Sequence, residues 1–151
     1  MTTDIRRPQA APDDSYATTT TFADLGVRHE LVEALAHEGI TTAFPIQAMT
    51  IQDALAGRDV CGKAKTGSGK TLAFAIPLLQ RSQPGARPGR PRALVLVPTR
   101  ELAAQVHNVM EPLAAALGLR STVAYGGTPV RKNSEALAQG VDVVTATPGR
   151  L

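Results

Sequence analysis

Ala64-Lys65-Thr66-Gly67-Ser68-Gly69-Lys70-Thr71, AKTGSGKT in one-letter code, is the stretch that decides the fold. Gly69, Lys70 and Thr71 satisfy the end of the phosphate-loop pattern G-x-x-x-x-G-K-[ST], and Ala64 stands where its first glycine is expected. The physics survives that exchange. Gly67 and Gly69 let the backbone curl so that its N–H groups converge on an anion. A following helix turns its positive end to the same point. An ammonium at Lys70 reaches β- and γ-phosphates, and a hydroxyl at Thr71 ligates Mg²⁺. Such a loop joins a strand to a helix. Asp59–Ala64 reads as the strand and Thr71–Gln80 as the helix, with Pro77 marking a kink or an early end. The motif implies a nucleoside triphosphate and leaves the reaction open.

On the N-terminal side, Val27–Glu38 has Leu31 and Leu35 on one helical face and Gly39 as its stop. Pro45 suits the first turn of a second helix that ends near Gly57. On the C-terminal side, Ala93–Val97 (ALVLV) is a continuous apolar run, the pattern of a strand buried on both faces. Arg100 opens a helix with Leu102, Val106, Val109 and Leu113 at helical spacing, which Pro112 should kink or restart, and Thr99 can cap it. Ser121–Tyr125 reads as a strand, Arg131–Gln139 as a helix closed by Gly140, and Val141–Ala146 as a strand. The order from Asp59 on is βαβαβαβ. Alternation of this kind predicts an α/β fold, a mostly parallel sheet of about four strands with helices on both faces. No internal repeat is visible.

The chain has 151 residues, 16 basic and 13 acidic side chains, a net charge of +3 and a hydrophobic fraction of 43%. That is enough apolar material for one core. No apolar run approaches the roughly 20 residues of a membrane span, and the N-terminus lacks the apolar centre of a secretory signal. The single cysteine, Cys61, excludes an intrachain disulfide, leaves no disulfide partner and points to a reducing compartment. Cys61 falls within the strand before the phosphate loop and reads as a small buried hydrophobe. His29, His37 and His107 show no zinc-ligand spacing. The basic excess is local. Residues 81–92 (RSQPGARPGRPR) carry Arg81, Arg87, Arg90 and Arg92 with no acid, three prolines and two glycines. This composition excludes helix and strand and predicts an exposed loop. Residues 1–21 are polar and biased and read as a disordered tail.

At this point the chain resembles the DEAD-box ATP-dependent RNA helicases. AKTGSGKT is that family's version of the phosphate loop, alanine included. Gly39–Gln47 (GITTAFPIQ) resembles its Q motif, with Ala43 and Phe44 where proline and threonine are frequent, and Phe22 at the upstream aromatic position. Pro98–Gln105 (PTRELAAQ) is similar to motif Ia, Gly126-Gly127 to the following glycine doublet, and Thr147–Arg150 (TPGR) to motif Ib. The matches run in order from residue 22 to 150. The resemblance implies a RecA-like phosphate-loop domain over residues 58–151, preceded by a Q-motif region of two helices at 22–57. It implies ATP and Mg²⁺ as cofactors. By that resemblance Phe22 would stack on adenine, Gln47 would pair with its edge, and Ala64, Lys65, Thr66, Gly67, Ser68, Gly69, Lys70 and Thr71 would hold the phosphates. Lys70 and Thr71 would be the catalytic pair, with Thr71 also binding the metal. An amide such as Gln47 offers both a donor and an acceptor, which matches adenine N6 and N7 and not guanine. The resemblance also places RNA on Pro98, Thr99, Arg100, Glu101, Gly126, Gly127, Thr147, Pro148, Gly149 and Arg150. These contacts go to the backbone, so base preference is slight.

The family's Asp-Glu-Ala-Asp tetrad does not occur in the chain, and neither does Asp-Glu-x-His. The Ser-Ala-Thr motif and the second RecA-like domain, which supplies the arginine finger, are not there either. The expectation is therefore the N-terminal piece of a cytoplasmic helicase, incomplete in its sheet. By itself this piece would bind ATP and RNA without hydrolysis or unwinding. The alternatives are a non-catalytic ATP- or RNA-binding module acting through a partner, another phosphate-loop NTPase such as a kinase or DNA translocase, and a segment that does not fold stably alone.

Overall fold

The computed structural model describes residues 18–127 and 130–150. Most of the expected tail, residues 1–17, lies outside the described residues. Thr18–Thr21 are placed. Thr21 bridges Thr42 in antiparallel sense, and the Ala43 N–H donates to the Thr20 carbonyl at 2.9 Å. Side-chain and backbone bonds from Thr21 to Asp24 (2.6 and 2.9 Å) hold the turn that follows. The end of the tail is therefore ordered, because its threonines find local partners.

The chain divides into two compact units, residues up to Arg81 and residues from Ser82 on. The first holds α1 (His29–His37), α2 (Pro45–Leu55) and α3 (Lys70–Arg81). α1 buries Leu31 and Leu35, and Gly39 ends it with φ of 73°, a conformation that L side chains avoid. α2 begins at Pro45 and packs against α3. Two side chains tie the ends of these helices. The Gln80 amide accepts from Arg28 N–H and donates to the Gly26 carbonyl, both at 2.9 Å. The Arg81 guanidinium donates to the Leu55 carbonyl at 3.0 Å. Arg81 therefore closes a helix and does not belong to the basic loop.

α3 has the expected span: it does not end early at Pro77 but runs on to Arg81 with the proline ring buried. One missing N–H costs one helix bond, and packing of the ring offsets it. Asp59–Ala64 is not a strand: no ladder forms there among the described residues. An extended segment becomes a strand only when a neighbour takes its N–H and C=O groups. Cys61 is consequently exposed rather than buried.

The second unit is a parallel sheet of three strands, β1 (Ala93–Leu96), β2 (Ser121–Ala124) and β3 (Val143–Ala146), in the order β1-β3-β2. Val143 lies level with Ala93 on one side and Ser121 on the other, and Ala146 with Leu96 and Ala124. α4 (Arg100–Ala116) links β1 to β2, and α5 (Val130–Ala138) links β2 to β3. The two links cross the sheet in opposite directions. With right-handed crossovers, α4 and α5 therefore lie on opposite faces. α4 passes through Pro112 unbroken, burying Val106, Met110 and Leu113. β3 is buried throughout. β1 is not buried on both faces as its apolar run suggests: Val95 is buried, while Leu94 and Leu96 are 44% and 53% exposed. On their face, Ala136 and Leu137 of α5 cover Ala124, Val144 and Ala146 and stop short of β1.

Candidate functional site

The first constellation lies in the N-terminal unit. Gly67 and Gly69 take φ of 81° and 82°, and α3 begins at Lys70. The N–H groups of its first turn face the loop without helical partners, as at any helix start. The Lys70 ammonium bonds the Ala64 and Lys65 carbonyls at 2.6 and 2.7 Å, drawing the loop into a ring. The Ser68 hydroxyl is buried with no partner among the described residues. A curled loop with an orphan hydroxyl, converging N–H groups and an ammonium at its mouth fits an oligophosphate.

Gln47 is 1% exposed and joins the loop directly. Its Oε1 accepts the Phe44 N–H at 2.7 Å, the reach-back half of a capping box at the start of α2. Its Nε2 donates to the Gly69 carbonyl at 2.9 Å. The pattern F-P-I-Q, with Gln three residues after the residue that precedes the helix, signals the first bond. The second joins residues 22 positions apart and has no local signal. Phe22, expected at the base, is 1% exposed and packs in the core of this unit.

The second constellation lies at the carboxyl ends of β1, β2 and β3, where α/β sheets bind ligands. Thr99 caps α4, its hydroxyl accepting the Leu102 N–H at 3.2 Å. Arg100 extends to the Gly126 carbonyl at 3.4 Å and sits 3.0 Å from where a Cβ on Gly127 would stand. The φ of 96° at Gly127 lies where an L side chain is strained, and a Cβ would press on the Arg100 guanidinium. The Thr147 N–H bonds the Ala124 carbonyl at 3.1 Å, and Pro148–Arg150 form a short 3-10 helix. Pro98, Thr99, Arg100, Glu101, Gly126, Thr147, Pro148 and Gly149 line one cleft of about 590 Å³. Of the ten residues expected on nucleic acid, only Gly127 and Arg150 are not among its walls.

Asp142 carried no signal of its own except as an acid inside an apolar run. It is 0% exposed, and its two oxygens accept the N–H groups of Ala86 (2.7 Å) and Arg120 (2.8 Å). It is a structural clasp at the opposite, amino-terminal end of the sheet. Among the described residues, no group of His, Cys, Asp and Glu could hold a metal ion, and no helix is long and apolar enough to cross a membrane.

The family model described as DEAD/DEAH box helicase matches residues 44–151. The ATP-dependent RNA helicase RhlB of Xanthomonas oryzae pv. oryzae is 47% identical over 91% of this chain and 25% of its own length. RhlB of Sodalis glossinidius is 43% identical over 91% of this chain and 34% of its own. The chain thus spans about a quarter to a third of the curated relatives it matches. Among solved structures, a DEAD box protein from the hyperthermophile Methanococcus jannaschii superposes with a TM-score of 0.80 at 32% identity, covering 89% of this chain and 36% of that one. The RNA helicase Prp28 of Chaetomium thermophilum, bound to ADP, gives 0.74 at 34% identity, covering 85% and 32%.

Proposed function

This chain belongs to the DEAD/DEAH box helicase family, and on that premise we propose that it is the ATP- and RNA-binding part of an ATP-dependent RNA helicase acting in the cytoplasm. The observation that carries the reading is the cleft. Three loops far apart in sequence, Pro98–Glu101, Gly126 and Thr147–Gly149, meet in one concave surface at the ends of the strands. Arg100 and the first turn of α4 offer cationic and N–H contacts to phosphate there, and no aromatic or amide group among its walls reads a base. RNA would be held by its backbone, with little dependence on sequence.

ATP would be held by the Ala64–Thr71 loop. Lys70 would exchange the Ala64 and Lys65 carbonyls for phosphate oxygens, and the Thr71 hydroxyl would ligate Mg²⁺. ATP supplies the phosphoanhydride whose cleavage drives remodelling. Gln47, buried beside the loop with its amide bonded to Phe44 and Gly69, would read adenine once its edge is uncovered, and its bond to Gly69 would link base recognition to the phosphates. Phe22 would reach the base only when its packing opens. That Prp28 is bound to ADP supports an adenine nucleotide as the ligand.

Hydrolysis and strand separation belong to the whole enzyme, with its acidic motif and a second RecA-like domain as partner. The chain alone should bind ATP and RNA without turnover. Equilibrium binding of a fluorescent ATP analogue should be saturable, should favour ATP over GTP as competitor, and should fall at least about tenfold in Lys70→Ala, the loss of one charge-assisted contact. Lys70-dependent, RNA-stimulated phosphate release from the chain, or GTP competing as well as ATP, would sink the reading.

A further inference from the structure

Opposite the cleft, the amino-terminal ends of the same strands gather a second set of cations. Arg92 immediately precedes β1, Arg120 immediately precedes β2, and Arg87 and Arg90 lie in the loop that leads into β1. All four are exposed. The loop is not a slack linker. Ala86 is buried, and its N–H is bound by the Asp142 carboxylate at 2.7 Å. The Gly89 N–H reaches the Leu137 carbonyl and the Arg92 N–H the Asp142 carbonyl, both at 2.8 Å. A turn closes between Arg87 and Arg90 at 2.9 Å. Arg120 belongs to the same assembly. Its N–H is held by the other Asp142 oxygen at 2.8 Å, and one guanidinium nitrogen donates to the Gln139 carbonyl at 2.7 Å. A Cβ on Gly140 would stand 2.5 Å from the Ala86 carbonyl oxygen and 2.9 Å from the Arg120 guanidinium, so the loop and Arg120 adjoin one another.

Among the described residues, no ion pair compensates the charge on this face. Asp142 is the only acid in the loop and the strand junctions it meets, and both its oxygens are spent on backbone N–H groups. None of the four arginines is in an ion pair among the described residues. Of the acids on the sheet's helices, Glu135 of α5 is paired with Arg131. The cations are all arginine, whose planar fork matches phosphate oxygens in pairs. Apart from proline rings, the loop's one apolar side chain is the buried Ala86, so the aromatic or aliphatic anchor on which protein partners depend is missing. This favours a polynucleotide backbone over an acidic protein.

We propose that Arg87, Arg90, Arg92 and Arg120 form a second phosphate-backbone surface for RNA, at the end of the sheet away from the Pro98–Gly149 cleft. It would engage a flanking stretch of the same strand or a second RNA segment. Fluorescence anisotropy with a labelled, unstructured RNA, titrated at several salt concentrations, tests this on the chain itself. Arg87→Gln/Arg90→Gln should weaken binding about tenfold at low salt and flatten the slope of log K against log salt by about 1.4, two single-strand phosphate contacts. Arg87→Lys/Arg90→Lys keeps the charge and should restore the slope. Combining the glutamine pair with Arg100→Gln should multiply the two losses, as for separate sites. Unchanged affinity and slope in the glutamine pair would overturn the proposal. So would lysine variants as weak as the glutamine ones, which would trace the loss to loop shape. Poly-glutamate competing as well as RNA would also overturn it, in favour of an acidic protein. If Arg100→Gln alone has no effect while the glutamine pair weakens binding, the cleft reading fails and this one stands.

Discussion

Gly69 is where two demands meet on one residue. Its φ of 82° lies where an L side chain is strained, and a Cβ there would fall 2.3 Å from the Gln47 amide nitrogen and 2.6 Å from the Phe44 ring. Gly69→Ala should therefore cost about 2–4 kcal/mol, combining left-handed strain with displacement of a buried amide. The urea midpoint would fall at unchanged slope, and ATP-analogue binding would drop with it. The glycine itself was legible, because the phosphate-loop pattern specifies it. Its second constraint was not. The Gln47 bond to Gly69 exists only once α2 and α3 pack, and no local spacing announces it. Asp142 was hidden for the same reason, since its partners Ala86 and Arg120 lie 56 and 22 residues away.

At the level of single elements, α4 shows both how much was readable and where readability ends. Its start at Arg100 and its Thr99 cap follow from residue chemistry alone. Its passage through Pro112 does not, because the rule against interior proline is overridden when a long apolar face is already buried. The Asp59–Ala64 segment is the converse case: its composition suits a strand, but pairing is supplied by neighbours and not by composition. α4 also carries a pH-sensitive group. His107 is half-buried with its Nδ1 lacking a partner among the described residues. Burial holds its pKa below the ordinary 6.5, with Glu111 one turn on pulling weakly upward. As pH falls below about 6.5, the unfolded chain takes up this proton before the folded chain does. Stability should therefore rise with pH across the window from the depressed value to 6.5, and be lost on acidification. Urea unfolding at pH 7 and pH 5 should show that loss, and His107→Gln should flatten it.

For the molecule as a whole, fold class, strand direction and the positions of α1 to α5 were open to reading, because period and punctuation repeat in each βα unit. The extent of cover on each strand was not, as β1 shows. Leu94 and Leu96 already face water, so Leu94→Ser/Leu96→Ser should move stability by less than about 1 kcal/mol. Val95→Ala, one residue between them and on the buried face, should cost about 2 kcal/mol. Denaturant midpoints of the two variants separate these outcomes. The strand order has a consequence in time. Among the described strands, β3 is the middle one and follows both of its neighbours in sequence, and they bond to it rather than to each other. During synthesis, β1 and β2 emerge before the strand that both of them pair with in the described sheet, and the arginine loop waits for the carboxylate that will fasten it. Until Val143–Ala146 leave the ribosome this half of the chain can hold helices but no sheet, and a single late segment then closes two ladders and the clasp together.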